Sequence, residues 1–382
     1  MISAHSGRRH GNLGPLVCVL YLMAVRYSKS SLRHPAPPTP VVCIQCVSVV
    51  RILLLSLLIA AFAVTPAFSQ KPHDGPMGFM AMSSQSPLQQ LRFGLLHAPP
   101  WVLPDGALAF YAEHNWRNVW LYSPGLYRID AEIQELVLRG CMGIDGSSSV
   151  SIELPLRYVS GGILDGFIED FHSFFGIAND YRDQFPRNQF AFEMNLDDGQ
   201  ENWSRAGTGQ TGFALGNIVL GISRKLPYFR PLGIEATLSA NLKLPTGTRT
   251  DYFGGQSVDV GAMISMVRGF GPLYLYASPG IVYYSQQEEI GIVLRQWHFS
   301  GLFAAELHPA NTNNSWIAQL LIESGIAKTF GGFTQDTYEL TMGYKRRLSK
   351  STVLEIGVLE NLFHFDNSPD IGLHAGFTRF YY

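Results

Sequence analysis

Ile234-Glu235-Ala236-Thr237-Leu238-Ser239-Ala240-Asn241-Leu242-Lys243-Leu244 is the stretch that decides the fold. Successive side chains of an extended strand point to opposite faces. Ile234, Ala236, Leu238, Ala240, Leu242 and Leu244 therefore make one apolar face. Glu235, Thr237, Ser239, Asn241 and Lys243 make a polar, ionisable one. A tilted strand needs about 9–11 residues to cross a bilayer, and this segment is long enough. Strands of soluble sandwiches are shorter, typically about five or six residues.

The same alternation recurs on both sides. Val150, Ile152, Leu154, Leu156 and Tyr158 interleave with Ser149, Ser151, Glu153, Pro155 and Arg157. Tyr338, Leu340, Met342 and Tyr344 interleave with Glu339, Thr341, Gly343 and Lys345. Trp297, Phe299, Phe303, Ala305 and Leu307 lie opposite Gln296, His298, Ser300, Ala304 and Glu306. Extended over the chain, the pattern predicts strands at 107–121, 129–142, 148–159, 212–224, 232–245, 256–268, 272–285, 292–308, 315–329, 336–348, 352–364 and 371–382. That is an all-β chain, a transmembrane antiparallel barrel of about twelve strands. With both termini periplasmic, the turns near 145, 228, 270, 311 and 350 fall on one side and the longer connections at 160–211 and 246–255 on the other. Aromatics near strand ends, such as Trp116, Trp120, Tyr283, Tyr284 and Tyr381, suit an interfacial girdle.

Composition agrees. Of 382 residues, 28 are Lys or Arg and 30 are Asp or Glu, a formal net charge of −2. Charged residues make up 15%, against roughly 25% in soluble domains. Aromatics at 12% exclude a disordered chain, and the absence of a basic excess argues against nucleic acid as a partner. The 38 glycines and 22 prolines exclude a long coiled coil.

Arg51 precedes an uncharged apolar run, Ile52 to Val64, which breaks at Pro66 and closes on Ala67-Phe68-Ser69. This reads as a signal peptide cleaved after Ser69; a transmembrane anchor is the alternative, but the run falls short of about 20 residues. The expected organisation is a mis-assigned or leader extension over 1–49, a signal peptide over 50–69, an N-terminal periplasmic segment over 70–106 and the barrel over 107–382. Three of the four cysteines, Cys18, Cys43 and Cys46, lie in the extension, so Cys141 has no partner for a disulfide in the mature chain. Gly207 to Gly212 reads as G-x-G-x-x-G without a strand–helix unit around it, a chance-level match.

One segment breaks the strand rhythm. Ile163, Leu164, Phe167, Ile168, Phe171, Phe174 and Phe175 recur at helical spacing, with Gly161 and Gly162 before them and Gly176 after. Asp165, Glu169 and His172 share the opposite face, and Arg182 follows. In an exported barrel such a helix is expected to lay its phenylalanines on the lumen wall or membrane rim and turn its polar face to the water path. Asp165, Glu169, His172 and Arg182 are thus the candidate gating or binding residues. A solvated polar face is the simpler reading. His172 with Asp165 or Glu169 would form a base–carboxylate unit without an evident nucleophile, since Ser173 faces elsewhere. Two carboxylates and one histidine fit metal geometry loosely, so no metal and no cofactor is expected. Glu113, Arg117, Glu153, Arg157, Glu235, Lys243, Glu339 and Lys345 are expected to face the lumen. Mixed signs there suit a water-filled, weakly selective pore, or charges that pair and plug a narrow barrel.

The run Gly161-Gly162, Asp165, Glu169, Phe171-His172, Phe175-Gly176 and Arg182 resembles the core motif of a domain-of-unknown-function family of proteobacterial proteins, number three-one-eight-seven of that series. Pro87-Leu88 and the strand from Phe110 to Trp120 fit as well. The family is regarded as outer-membrane-like barrels, so the resemblance implies a fold and a Gram-negative outer-membrane location but no catalytic roles. The closing Phe380-Tyr381-Tyr382 resembles the aromatic terminal strand that barrel-assembly machinery recognises. The expected function is a porin-like pore or gated conduit for small or hydrophobic solutes, with outer-membrane lipids and lipopolysaccharide as surroundings. An outer-membrane lipid-modifying enzyme with a site near His172, and a structural barrel, are the alternatives.

Overall fold

The computed structural model describes residues 75–176, 181–195, 211–248, 255–289, 291–363 and 367–382. The expected signal peptide, its extension and most of the G-x-G-x-x-G run lie outside the described residues. In chain order the strands are β1 (Leu108–Ser123), β2 (Tyr127–Gly143), β3 (Ser148–Ser160), β4 (Ala191–Met194), β5 (Gly212–Leu215), β6 (Val219–Lys225), β7 (Glu235–Lys243), β8 (Asp259–Phe270), β9 (Leu273–Tyr284), β10 (Glu288–Glu289), β11 (Ile292–Val293), β12 (Trp297–Leu307), β13 (Asn314–Glu323), β14 (Thr337–Ser349), β15 (Thr352–Asn361) and β16 (Ile371–Tyr381). Among the described residues one α-helix, α1 (Asp165–Phe175), lies between β3 and β4.

Twelve of these strands close a ring. Each pairs antiparallel with the next in the order β1–β2–β3–β6–β7–β8–β9–β12–β13–β14–β15–β16, and β16 returns to β1 from Leu108↔Tyr381 to Asn118↔Ile371. Closure leaves no sheet edge to satisfy, which is what a strand fold needs where water is absent. The expected single strand over 212–224 is instead two pieces. β5 pairs with Leu156–Val159 and β6 with Ser148–Glu153, and the break falls opposite Pro155. Proline has no N–H to give the ladder. Gly216 bridges the gap by donating its N–H to the Pro155 carbonyl at 2.8 Å, and a Cβ there would sit 2.5 Å from the proline ring. Likewise the stretch expected over 292–308 starts as the hairpin partner β11 before β12 joins the wall.

The ring wears its apolar side chains outside. Ile152, Leu238, Met342, Leu354 and Ile356 are exposed, while Glu306, Glu323, Glu339 and Ser300 on the alternate positions are buried inside. A soluble barrel would invert this order. Among the described residues no helix is long and apolar enough to cross a membrane.

The interior is not water. Residues 75–103, which the sequence reading places in a segment ahead of the barrel, run through the ring. Phe79, Met80, Leu95 and His97 are at most 1% exposed, and Met82 and His97 bridge antiparallel to each other. Phe79, Met80 and Met82 pack with Val267, Tyr276, Leu302, Ile317 and Leu321 of four different wall strands. Phe93 and Leu95 pack with Val219, Met263, Val282 and Tyr284. Glycines make the room: a Cβ at Gly261 or Gly280 would lie 2.7 or 2.5 Å from Leu95.

Candidate functional site

The plug formed by residues 75–103 is held by side chains of the wall, and many of its bonds are made to backbone. Glu306 on β12 accepts the N–H groups of Met77 (2.7 Å) and Gly78 (2.9 Å), together with the hydroxyls of Tyr276 and Ser315. Gln319 on β13 takes the N–H of Met80 and gives its own amide to the same residue's carbonyl, at 2.9 and 3.1 Å. Lys345 donates to the Phe79 carbonyl at 2.9 Å. Glu339 accepts from the Ser84 hydroxyl and the Gln85 N–H, both at 3.0 Å. Arg117 donates to the side chains of Gln85 and Gln90, and Arg157 to the Gln90 carbonyl. Further along, Arg92 reaches the carbonyls of Arg295 and Gln286, and the Tyr284 hydroxyl donates to the Phe93 carbonyl. An extended segment without sheet partners needs its buried N–H and C=O groups satisfied, and a polar lumen supplies the donors and acceptors.

His97 anchors the returning arm. Its Nδ1 lies 3.0 Å from the Ser278 hydroxyl and its Nε2 2.5 Å from the Ser300 hydroxyl. Ser300 in turn donates to Glu323, which leaves its hydroxyl oxygen to accept from the His97 ring. Burial pushes its pKa down to about 4, so the imidazole is neutral.

The plug does not fill the ring. At the end where β1 begins and β16 finishes, a cavity of about 480 Å³ remains between the plug and the inner faces of β2, β3, β6 and β7. Leu96, Pro99, Trp101 and Leu103 of the plug line one side; Glu113, Arg139, Glu153, Glu235, Thr237 and Ser239 line the other. Cys141, Phe380 and Tyr382 also reach it. A smaller pocket of about 60 Å³ continues inward past Glu153 to Arg157, Asn217 and Lys243. Toward the opposite end lies an apolar cap in which Leu88 and Leu91 of the plug meet Val119, Leu121, Tyr127, Phe192, Ile292, Ile326 and Phe333.

The residues expected to face the lumen form separate ion pairs or line the interior. Glu113 pairs with Arg139 at 3.2 Å, and Glu135 with Arg157 at 2.5 Å and Arg117 at 4.0 Å. Lys243 pairs with Asp259 at 2.7 Å and Lys345 with Glu355 at 2.6 Å. Glu153 and Glu235 line the cavity, and Glu339 holds the plug.

The candidate gating residues lie elsewhere, and the reading of α1 as a lid over the water path is corrected. Asp165 meets Arg182 at 3.1 Å, and Arg182 continues to Asp370 at 2.8 Å. Both contact Asn118, whose neighbours two positions apart on β1 follow the outward set that starts at Leu108 and Phe110. Glu169 pairs with exposed Arg187 at 2.5 Å, and His172 is buried at 8% exposure while Ser173 is exposed. Phe167 and Phe174, expected to be covered, are 58% and 82% exposed. The side chains of Phe171 and Phe175 lie outside the described residues. Sequence reasoning missed the plug's own contributors, Gln85, Gln90, Arg92 and His97, because they sit in a stretch with no periodicity. Glu306 was legible, since the alternation of β12 puts it on the polar face.

No curated protein matches the sequence. Among solved structures, the chain is similar to an outer membrane channel from Pseudomonas putida F1, at 12% identity and a TM-score of 0.49 over 73% of this chain and 97% of that one. It is similar to the NanC porin at 9% identity and a TM-score of 0.40, over 72% of this chain and 100% of that one. It is also similar to a deletion mutant of the monoaromatic hydrocarbon channel TodX, at 9% identity and a TM-score of 0.33 over 78% and 98%. The model of one family, described as a protein of unknown function (DUF3187), matches residues 54–381, and the chain belongs to that family.

Proposed function

We propose that the chain is an outer-membrane barrel working as a gated conduit for small or hydrophobic solutes, with the plug as its gate. The observation that carries this reading is a lumen wall of ionisable side chains that hold a separate segment, with a cavity of about 480 Å³ beside it. Apolar clusters around Phe79, Met80 and Leu95 hold the plug in place, and beside them the wall satisfies its backbone groups one by one, with bonds that can each be exchanged for water. The cavity's apolar plug side and polar wall side suit solutes with both kinds of surface. The outward belt of Ile152, Met342 and Ile356 supports placement in lipid, and the aromatic end of β16 supports recognition by assembly machinery. The apolar cap favours the second reading, a structural barrel.

Conductance in planar bilayers tests the two. The full chain is expected to conduct rarely, and a variant lacking residues 75–103 to show stepwise openings. A folded plug-free barrel that does not conduct would leave the structural reading standing.

A further inference from the structure

The outer face of β1 and β2 changes character along its length. Leu108 and Phe110 on β1 are exposed, as an outward strand face should be. Further up the same face come Asn118 and Trp120, and opposite them on β2 come Glu132 and Asp130. All four are buried, at 0%, 3%, 2% and 4% exposure. What covers them is α1 and the stretch after it. Glu132 accepts the N–H groups of Ile163 and Leu164 at the start of the helix. Asp165 accepts from Asn118 at 3.0 Å, Arg182 donates to Asn118 at 2.7 Å, and the Phe185 ring lies 5.3 Å from that of Trp120. The helix therefore lies against the outside of the ring, with Asp165, Ile168 and His172 turned to the protein.

Its other side carries Ile163, Phe167 and Phe174, at 73%, 58% and 82% exposure, with Asp170 and Ser173 exposed beside them, while Asp165 and His172 are 2% and 8% exposed. A helix on a water-facing surface shows the reverse order. Height decides what lies outside. From Leu108 to Asn118 is a rise of about 25 Å at roughly 3.3 Å per residue and a tilt near 40°, and the apolar band of such barrels is about 25 Å tall. Asn118, and with it α1, is level with the band's upper edge.

We infer that α1 is an interfacial helix that rests Ile163, Phe167 and Phe174 in the lipid leaflet around the barrel. The inference rests on the outer-membrane reading above. Polar groups on the wall would otherwise face hydrocarbon; the helix covers them and continues the apolar belt past them.

Spin labelling in phospholipid vesicles tests it. Cysteine is placed by Phe174→Cys, by Ile163→Cys and, as a belt control, by Ile356→Cys, each with the other cysteines replaced by serine and folding checked by heat-modifiable migration. Labels at 174 and 163 are expected to collide several-fold more with oxygen than with a water-soluble nickel chelate, as at 356. Nickel-dominated collisions at 174 and 163 with oxygen-dominated ones at 356 would overturn the inference and leave the membrane reading intact. Nickel-dominated collisions at 356 would overturn both.

Discussion

Glu306 shows how the lumen binds its plug at the level of one side chain. The carboxylate is 0% exposed and satisfied by two backbone N–H groups and two hydroxyls. Replacing it by alanine strands those donors, at about 1–3 kcal/mol for each buried group left without a partner. Glu306→Ala is expected to speed hydrogen exchange at Met77 and Gly78 about tenfold to a hundredfold, leaving the amides of β14 and β15 protected. Unchanged exchange at those two amides would mean that Glu306 does not hold the plug. On the opposite face, Ile356→Arg should cost about 2–4 kcal/mol in denaturant unfolding from vesicles. Glu235→Gln, at the cavity mouth, should stay within about 0.5 kcal/mol. Equal costs at the two positions would place the ring in water.

Among the elements, the strands and the helix were legible and the plug was not, for a physical reason in each case. Alternation over β7, β12 and β14 reports which face is dry, and it put Glu235, Glu306 and Glu339 inside. The plug has neither period, because its partners are side chains of a wall that no local pattern announces. The amphipathic period of α1 was read correctly and left the lumen wall and the membrane rim open for its phenylalanines; that its polar residues meet the outer wall depends on Asn118 and Glu132, distant in sequence. The plug also carries a pH dependence. His97 is neutral in place, its pKa pushed from an ordinary 6.5 down to about 4 by burial. Its surroundings are Ser278, Ser300, Glu323 and the His298 that bonds to Glu323. A depressed histidine pKa favours the docked state fully above pH 6.5, and that contribution falls as pH drops toward 4, to a total of roughly 3 kcal/mol. Single-channel recordings should show more frequent opening at pH 5 than at pH 7.5. In His97→Asn the acid effect should shrink; an undiminished effect would assign it to other groups.

Over the whole molecule, the two ends of the ring differ. One holds a cavity with charged walls and the other an apolar cap, so the polarity of the interior falls from the end where β1 begins to the opposite one. The plug's bonds also have a temporal meaning. Met80 binds Gln319 across 239 residues and Phe79 binds Lys345 across 266. The docking site is shared among β1, β9, β12, β13 and β14, so it is complete only once strands from both halves of the chain are in place. The segment that precedes every strand in the chain therefore makes these two bonds only with strands synthesised more than two hundred residues after it.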